Sequence, residues 1–399
     1  NFLVNISLIA MRRAATPAKN IHWSMYTYEY YFISCRYMDF FDDLDLTKLD
    51  FDLDEDTITI IGVILIIVVL GLCYYFGDYQ SDGIPDVDWP FLNLKDENGK
   101  NINMLAIRGY LEYDGENSKQ FLKYLDQGIK FIGCSSHLSF PRICNNPYGG
   151  CHKAENIKVF GKDVEDYVLG WAHCFREPKK YIKSGIPKIL ISESDFNSEN
   201  FHYDPSVEKV YDYITVQPKD NNECKVGWNG VNKKWDLAEK CIQILSDELG
   251  LKGIIIGRDD CPINIKNKDR VISTPLLPKH EFHNKIMQSR FMLLPNTEDA
   301  SPRILTESLV MNTPVFVNQD ILGGWKYVND KTGVFFGPDT IKESAIRIMN
   351  GIQKNQYSPR EDYLSKYGVR NSGRQLRDFL KSVNPELSEC EYVRFDTSI

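Results

Sequence analysis

Asp299 and Glu307 stand eight positions apart in the run Pro295-Asn296-Thr297-Glu298-Asp299-Ala300-Ser301-Pro302-Arg303-Ile304-Leu305-Thr306-Glu307. Ser301 suits an N-cap and Pro302 a first helical position, so the run predicts a loop feeding a helix over 302–311. Asp299 and Ala300 then precede a helix N-terminus, where unpaired amides and the helix dipole attract an anion. One carboxylate before the helix and one inside it can each accept hydrogen bonds from sugar hydroxyls, while the amides face a diphosphate. A structural reading fits the same spacing. Glu307 would pair with Arg303 one turn earlier, and Asp299 would serve the turn.

Other groups with chemistry are scattered. His173 titrates near neutrality and could serve as a base on the acceptor side. Arg258, after Gly257, could contact a diphosphate or pair with Asp259 or Asp260 at the surface. Gly323 and Gly324 follow a predicted strand and either bring amides against a ligand or form a turn. Cys134, Cys144, Cys151 and Cys174 lie near His137, His152 and His173, so zinc ligation, disulfides and plain thiols are all open. An Asp-x-Asp pair occurs at Asp52-Leu53-Asp54, within an acidic stretch. No metal or other cofactor is therefore expected, and activation should rest on Lys, Arg and helix amides.

These groups need a scaffold. Residues 102–107, 130–133 and 188–192 read as strands and 118–125 as a helix, giving a first α/β unit. In the second, strands at 213–216, 253–257, 271–272, 291–295 and 314–317 alternate with helices over 234–249, 279–289 and 302–311. That alternation predicts parallel, doubly wound sheets with a ligand cleft at the carboxyl ends of the strands. The expected fold class is α/β with two Rossmann-like domains.

The chain has 399 residues, 43% hydrophobic and 26% charged, a globular composition. With 47 basic against 55 acidic residues the net charge is −8, which argues against nucleic acid as a partner. Residues 1–56 read as a tail, acidic from 39. Residues 57–77 are uncharged and rich in Ile, Val and Leu, long enough for one transmembrane helix. Arg12, Arg13, Lys19, Arg36 and Lys48 precede that span, so the expected orientation is type II, with the large C-terminal part lumenal. Residues 78–100 read as a stem, 101–208 as the first domain, 209–382 as the second and 383–399 as a tail.

The succession Phe291-Met292-Leu293-Leu294-Pro295, Asp299, Glu307, Asn312-Thr313-Pro314-Val315 and Thr332-Gly333 resembles the C-terminal domain of GT-B glycosyltransferases, especially glycosyltransferase family 4. Lys233-Lys234-Trp235-Asp236-Leu237 resembles that family's lysine-bearing segment, and Gly257-Arg258 falls where a strand ends in glycine. The resemblance implies a GT-B fold and transfer from a nucleotide sugar to a glycan, lipid or protein acceptor. Glu307 would hold the ribose, Asp299 the donor sugar and Lys233 the diphosphate, with Ser301, Arg303, Gly257, Arg258, Gly323 and Gly324 around the donor. Asp299 replaces the usual glutamate, and Ala300, Ser301, Pro302 and Arg303 replace the usual glycines. The Ser301-Pro302…Glu307 run is also similar to exostosin-like glycosyltransferases, which invert. Family 4 implies retention, so the stereochemistry stays open, as does a non-catalytic carbohydrate-binding protein of the same fold.

Overall fold

The computed structural model describes residues 86–111, 115–136, 138–142, 158–159, 162–197 and 201–396, all within one compact unit. The expected acidic tail and membrane span lie outside the described residues. Among those described, no helix is long and apolar enough to cross a membrane.

The first half begins with β1 (Phe91–Asp96), β2 (Asn101–Ile107), α1 (Glu116–Asp126) and β3 (Lys130–Cys134). A separate two-stranded ladder of β4 (Lys158–Val159) and β5 (Lys162–Asp163) follows, then β6 (Val168–Ala172) and β7 (Lys188–Ile189). α1 turns Phe121 and Tyr124 onto Phe91 and Phe131, so an aromatic cluster seats the helix on the sheet. A 3-10 turn, Glu193–Phe196, leads toward the second half.

That half is an alternating succession: β8 (Tyr211–Val216), α2 (Trp228–Asn232), α3 (Trp235–Gln243), β9 (Gly253–Ile256), β10 (Val271–Thr274), α4 (Lys279–Met287), β11 (Ser289–Leu294), α5 (Arg303–Val310), β12 (Val315–Asn318), β13 (Gly333–Phe336) and α6 (Ile341–Gln353). Its six strands are all parallel, in the order β10-β9-β8-β11-β12-β13. Counted from β8, that is the doubly wound order 3-2-1-4-5-6. Successive crossovers leave to opposite sides of β8 and open a crevice between β8 and β11 at their carboxyl ends.

The chain then returns through α7 (Pro359–Lys366) and α8 (Val369–Val383) to β14 (Val393–Phe395). The first sheet runs β14-β1-β2-β3-β6-β7, antiparallel at β14-β1-β2 and parallel beyond. Three expectations need correction. The stem expected at 78–100 contains β1, whose Phe91, Leu92 and Leu94 are core residues. The tail expected at 383–399 contains β14. Residues 369–382, assigned to the second domain, instead form most of α8, which lays Leu376 and Leu380 against Leu92, Leu94, Ile132, Val393 and Phe395 of the first sheet. Apolar burial on that sheet, at about 25 cal/mol per Å², outweighs the polar character of the surrounding segments.

Candidate active site

The crevice between β8 and β11 is where two of the sequence candidates, Lys233 and Asp299, meet. Lys233 closes α2, with its amide bonded to Asn229 O at 2.8 Å, and Lys234 then takes a left-handed φ of 57° to start α3. Asp299 lies in the loop after β11. Lys233 Nζ and Asp299 Oδ2 are 2.8 Å apart, and Asn296 Nδ2 donates to the same oxygen at 2.9 Å. Lysine and aspartate thus come together from the two strands that flank the switch point. Both side chains keep some exposure, 25% and 16%, so a ligand entering the crevice can reach them.

Contacts with the first half hold the loop in shape. Ser301 does not cap α5 as expected. Its Oγ accepts the Ser194 amide at 3.0 Å and lies 2.8 Å from Ser194 Oγ, and the helix begins at Arg303. The cause is competition: a buried amide on the 193–196 turn needs an acceptor, and Ser301 is the one that reaches it. Arg303 opens α5 with its side chain exposed, and Asn197 Nδ2 donates to Thr306 Oγ1 at 2.6 Å one turn on.

Gly323 and Gly324 prove to be packing and turn residues. A Cβ on Gly323 would stand 1.8 Å from the Ala300 carbonyl oxygen, so only glycine permits the approach. The Gly323 amide donates to Asp299 O at 2.9 Å, which takes it out of contention as a ligand donor. Gly324 has a φ of 78°. Gly257 likewise turns the chain at the end of β9 with a φ of 92°.

Glu307 is buried at 8% exposure on α5. Its nearest ionisable partner is His283 on α4, with Nε2 3.8 Å from Oε2, and not Arg303 as the structural reading had it. Arg258 follows neither sequence reading fully. It is buried at 3% exposure, with its guanidinium 3.7 Å from the centre of the Trp235 ring, while Asp259 pairs with Lys219 at 3.1 Å. Burial lowers the Arg258 pKa, against the pull of Asp220 and Glu239. Its Nη2 leans toward Cys224 O at 3.4 Å, and Cys224 is in a disulfide with Cys261. Asp220 collects the amides of Gly227, Asn229 and Gly230 at 2.7 to 2.9 Å, fixing the loop that carries the disulfide.

His173 follows β6, and the adjoining residue Cys174 receives the Trp325 indole at 2.9 Å. That places the segment beside the Gly323 turn. Burial, with the Lys326 and Lys188 charges, lowers the His173 pKa to about 4. The ring is therefore neutral at pH 7, and so weak a base takes a proton from a hydroxyl poorly. Cys134 and Cys174 are free and their thiols are pushed up by burial, so neither forms a disulfide. Cys144, Cys151, His137 and His152 lie outside the described residues. Among the described residues no group of three His, Cys, Asp or Glu side chains could hold a metal ion.

Sequence reasoning missed Asn296, His283, Asp220 and the Cys224–Cys261 bridge. Only Asn296, three residues from Asp299, carried a local signal.

No protein-family model matches the sequence, and no curated protein does. In structure the chain is similar to glycosyltransferases of the GT-B type. TarM of S. aureus is 12% identical with a TM-score of 0.46, over 67% of this chain and 53% of that one. The pneumococcal O-GlcNAc transferase GtfA, solved with UDP and GlcNAc, is 16% identical with a TM-score of 0.47, over 69% and 55%. Sucrose-phosphate synthase from Thermosynechococcus elongatus is 9% identical with a TM-score of 0.49, over 67% and 71%. The chain spans about half the length of the first two.

Proposed function

We propose that the chain is a glycosyltransferase of GT-B type that moves a sugar from a nucleotide-sugar donor to a glycan, lipid or protein acceptor, with retention and without a metal. The observation that carries this reading is the Lys233–Asp299 contact at the switch point of the second sheet, followed on α5 by the buried Glu307. In the donor-bound state Lys233 turns from Asp299 to the diphosphate, Asp299 accepts from the donor sugar, and Glu307 holds the ribose diol. Arg303 and the free amides of α5 add positive potential from the loop side. The anomeric C–O bond breaks with its electron pair passing to the diphosphate. The acceptor oxygen forms the new bond and gives its proton to a phosphate oxygen. The cations act where charge develops, which is where preorganised electrostatics lowers a barrier most.

The test is turnover of a panel of nucleotide sugars in EDTA, with and without acceptors. Release of nucleoside diphosphate from one donor, undiminished by EDTA and accompanied by a product of unchanged anomeric configuration, is the expected result. No turnover of any donor defeats the enzyme reading, loss that Mn²⁺ restores defeats metal independence, and an inverted product defeats retention.

The proposal extends to the membrane. The apolar run at 57–77 tethers the chain, and the enzyme faces an oxidising compartment. The Cys224–Cys261 disulfide supports that side, since such bonds persist where thiols are not kept reduced. Alkaline extraction of membranes should leave the full chain in the pellet, with 86–396 protected from added protease. Release into the supernatant rejects the anchor, and digestion in sealed vesicles rejects the orientation.

A further inference from the structure

Glu307 does not face solvent alone. His283 on α4 lies against it, with Nε2 3.8 Å from Oε2, too far for a hydrogen bond. That ring nitrogen is fully buried and has no hydrogen-bond partner. The Phe201 ring lies 4.9 Å from the imidazole and the Phe282 ring 6.2 Å, so aromatic carbon closes the flanks and the carboxylate is the acceptor ahead of the nitrogen. Both residues are under a tenth exposed. An apolar side chain would fill this volume without stranding a polar atom, and a stranded one opposes folding. Hydrogen bonds of a binding site are often long when the site is empty and shorten when it is filled.

We infer that His283 is a positioning residue of the donor site: when a nucleotide's ribose engages one oxygen of Glu307, the imidazole closes onto the other and fixes the carboxylate. This rests on the ribose role of Glu307 proposed above. The substrate class it implies is a ribonucleoside diphosphate sugar, with the ribose diol intact. His283 itself touches no substrate.

The test is calorimetric titration of the full chain with UDP, GDP and ADP, and with the 2′,3′-dideoxy form of whichever binds most tightly. Glu307→Gln should weaken the ribonucleotide about ten- to a hundredfold, as for loss of charge-assisted hydrogen bonds. His283→Leu should weaken it about three- to tenfold, with His283→Gln, which retains a donor, recovering most of that. The double variant Glu307→Gln/His283→Leu should bind no more weakly than Glu307→Gln, because the second residue acts through the first. The dideoxy nucleotide should not distinguish the variants. If His283→Leu does not fold, His283→Asn, with a shortened side chain, takes its place.

Losses that add in the double variant, or wild-type affinity in the His283 variants while Glu307→Gln is weak, overturn the positioning role and leave the ribose role standing. Wild-type affinity in Glu307→Gln, or no binding of any nucleotide, overturns both. A merely structural histidine would lower the melting temperature and leave the coupling at zero.

Discussion

Replacing Lys233 with alanine lowers kcat by about two to three orders of magnitude, the range seen when one preorganised donor to a developing negative charge is removed. The protein stays folded. The Lys233–Asp299 contact is partly exposed, and such pairs contribute little to stability. Because the ammonium meets the diphosphate in the donor-bound state and also the charge that grows as it departs, kcat/KM should fall further than kcat, with a raised KM. Lys233→Arg keeps the charge but not the compact, rotatable donor, and should recover part of the loss. Steady-state kinetics on the donor found in the panel, with circular dichroism as the folding control, decides the matter. A change of less than threefold in kcat would make Lys233 a loop partner of Asp299 and nothing more.

The largest stability effect belongs elsewhere. Lys326 Nζ lies 2.7 Å from Asp195 Oδ1, donates to Oδ2 at 2.8 Å and to Leu190 O at 2.9 Å, and lies 5.2 Å from the ring centres of Tyr327 and Tyr367. Asp195 is 1% exposed, on the turn that ends the first half, whereas Lys326 follows the Gly323–Gly324 turn of the second. Lys326→Met should cost about 3–5 kcal/mol, because it leaves a buried carboxylate without its counter-charge, held by the Ser192 amide, rather than because the pair itself is worth that much. Asp195→Leu in the same chain removes the stranded charge and should restore much of the loss. Urea unfolding monitored by tryptophan fluorescence measures both. A cost below about 1 kcal/mol for Lys326→Met would mean that Asp195 finds other partners or is not charged in the folded state.

Five of the six strands of the second sheet, all but β13, were legible because they are short apolar runs, such as Gly253-Ile254-Ile255-Ile256, punctuated by amphipathic helices. Burial on both faces leaves no alternation to confuse the reading. β1 was not legible, since Asn93 interrupts its pattern and its neighbours are Asp, Pro, Gly and Asn. Phe91–Asp96 pairs on one side with β2, across a short turn, and on the other with Val393–Phe395, a partner that no local window contains. β6 was lost for a related reason: Gly170 sits mid-strand and the segment precedes a Pro- and Lys-rich turn.

At the site, Asp299 and Glu307 were identifiable by type and spacing and Lys233 by the family resemblance, yet their roles were open until strand order put Lys233 and Asp299 in one crevice. Ser301 was misread because a local rule, capping, lost to a distant amide in need of an acceptor. Arg258 was read as a surface or phosphate ligand, and the indole of Trp235 beneath it could not be inferred from sequence distance. His283 and Glu307 meet through helix packing alone.

The antiparallel ladder between Leu94–Asp96 and Val393–Phe395 also has a temporal meaning. About 300 residues separate the paired strands, and at roughly 5–20 residues per second a ribosome takes roughly 15–60 seconds to make that interval. Throughout it β1 is an open edge with Leu92 and Leu94 lacking their cover from Leu376, Leu380 and Phe395. A nascent chain in that condition is a template for unwanted strand pairing, and a chaperone would have to shield it. The strand that seals the first sheet is thus made long after the one it covers. A chain cut short before Val393 keeps every residue of the crevice and still carries an unprotected edge, which marks truncated products for aggregation or disposal rather than for work.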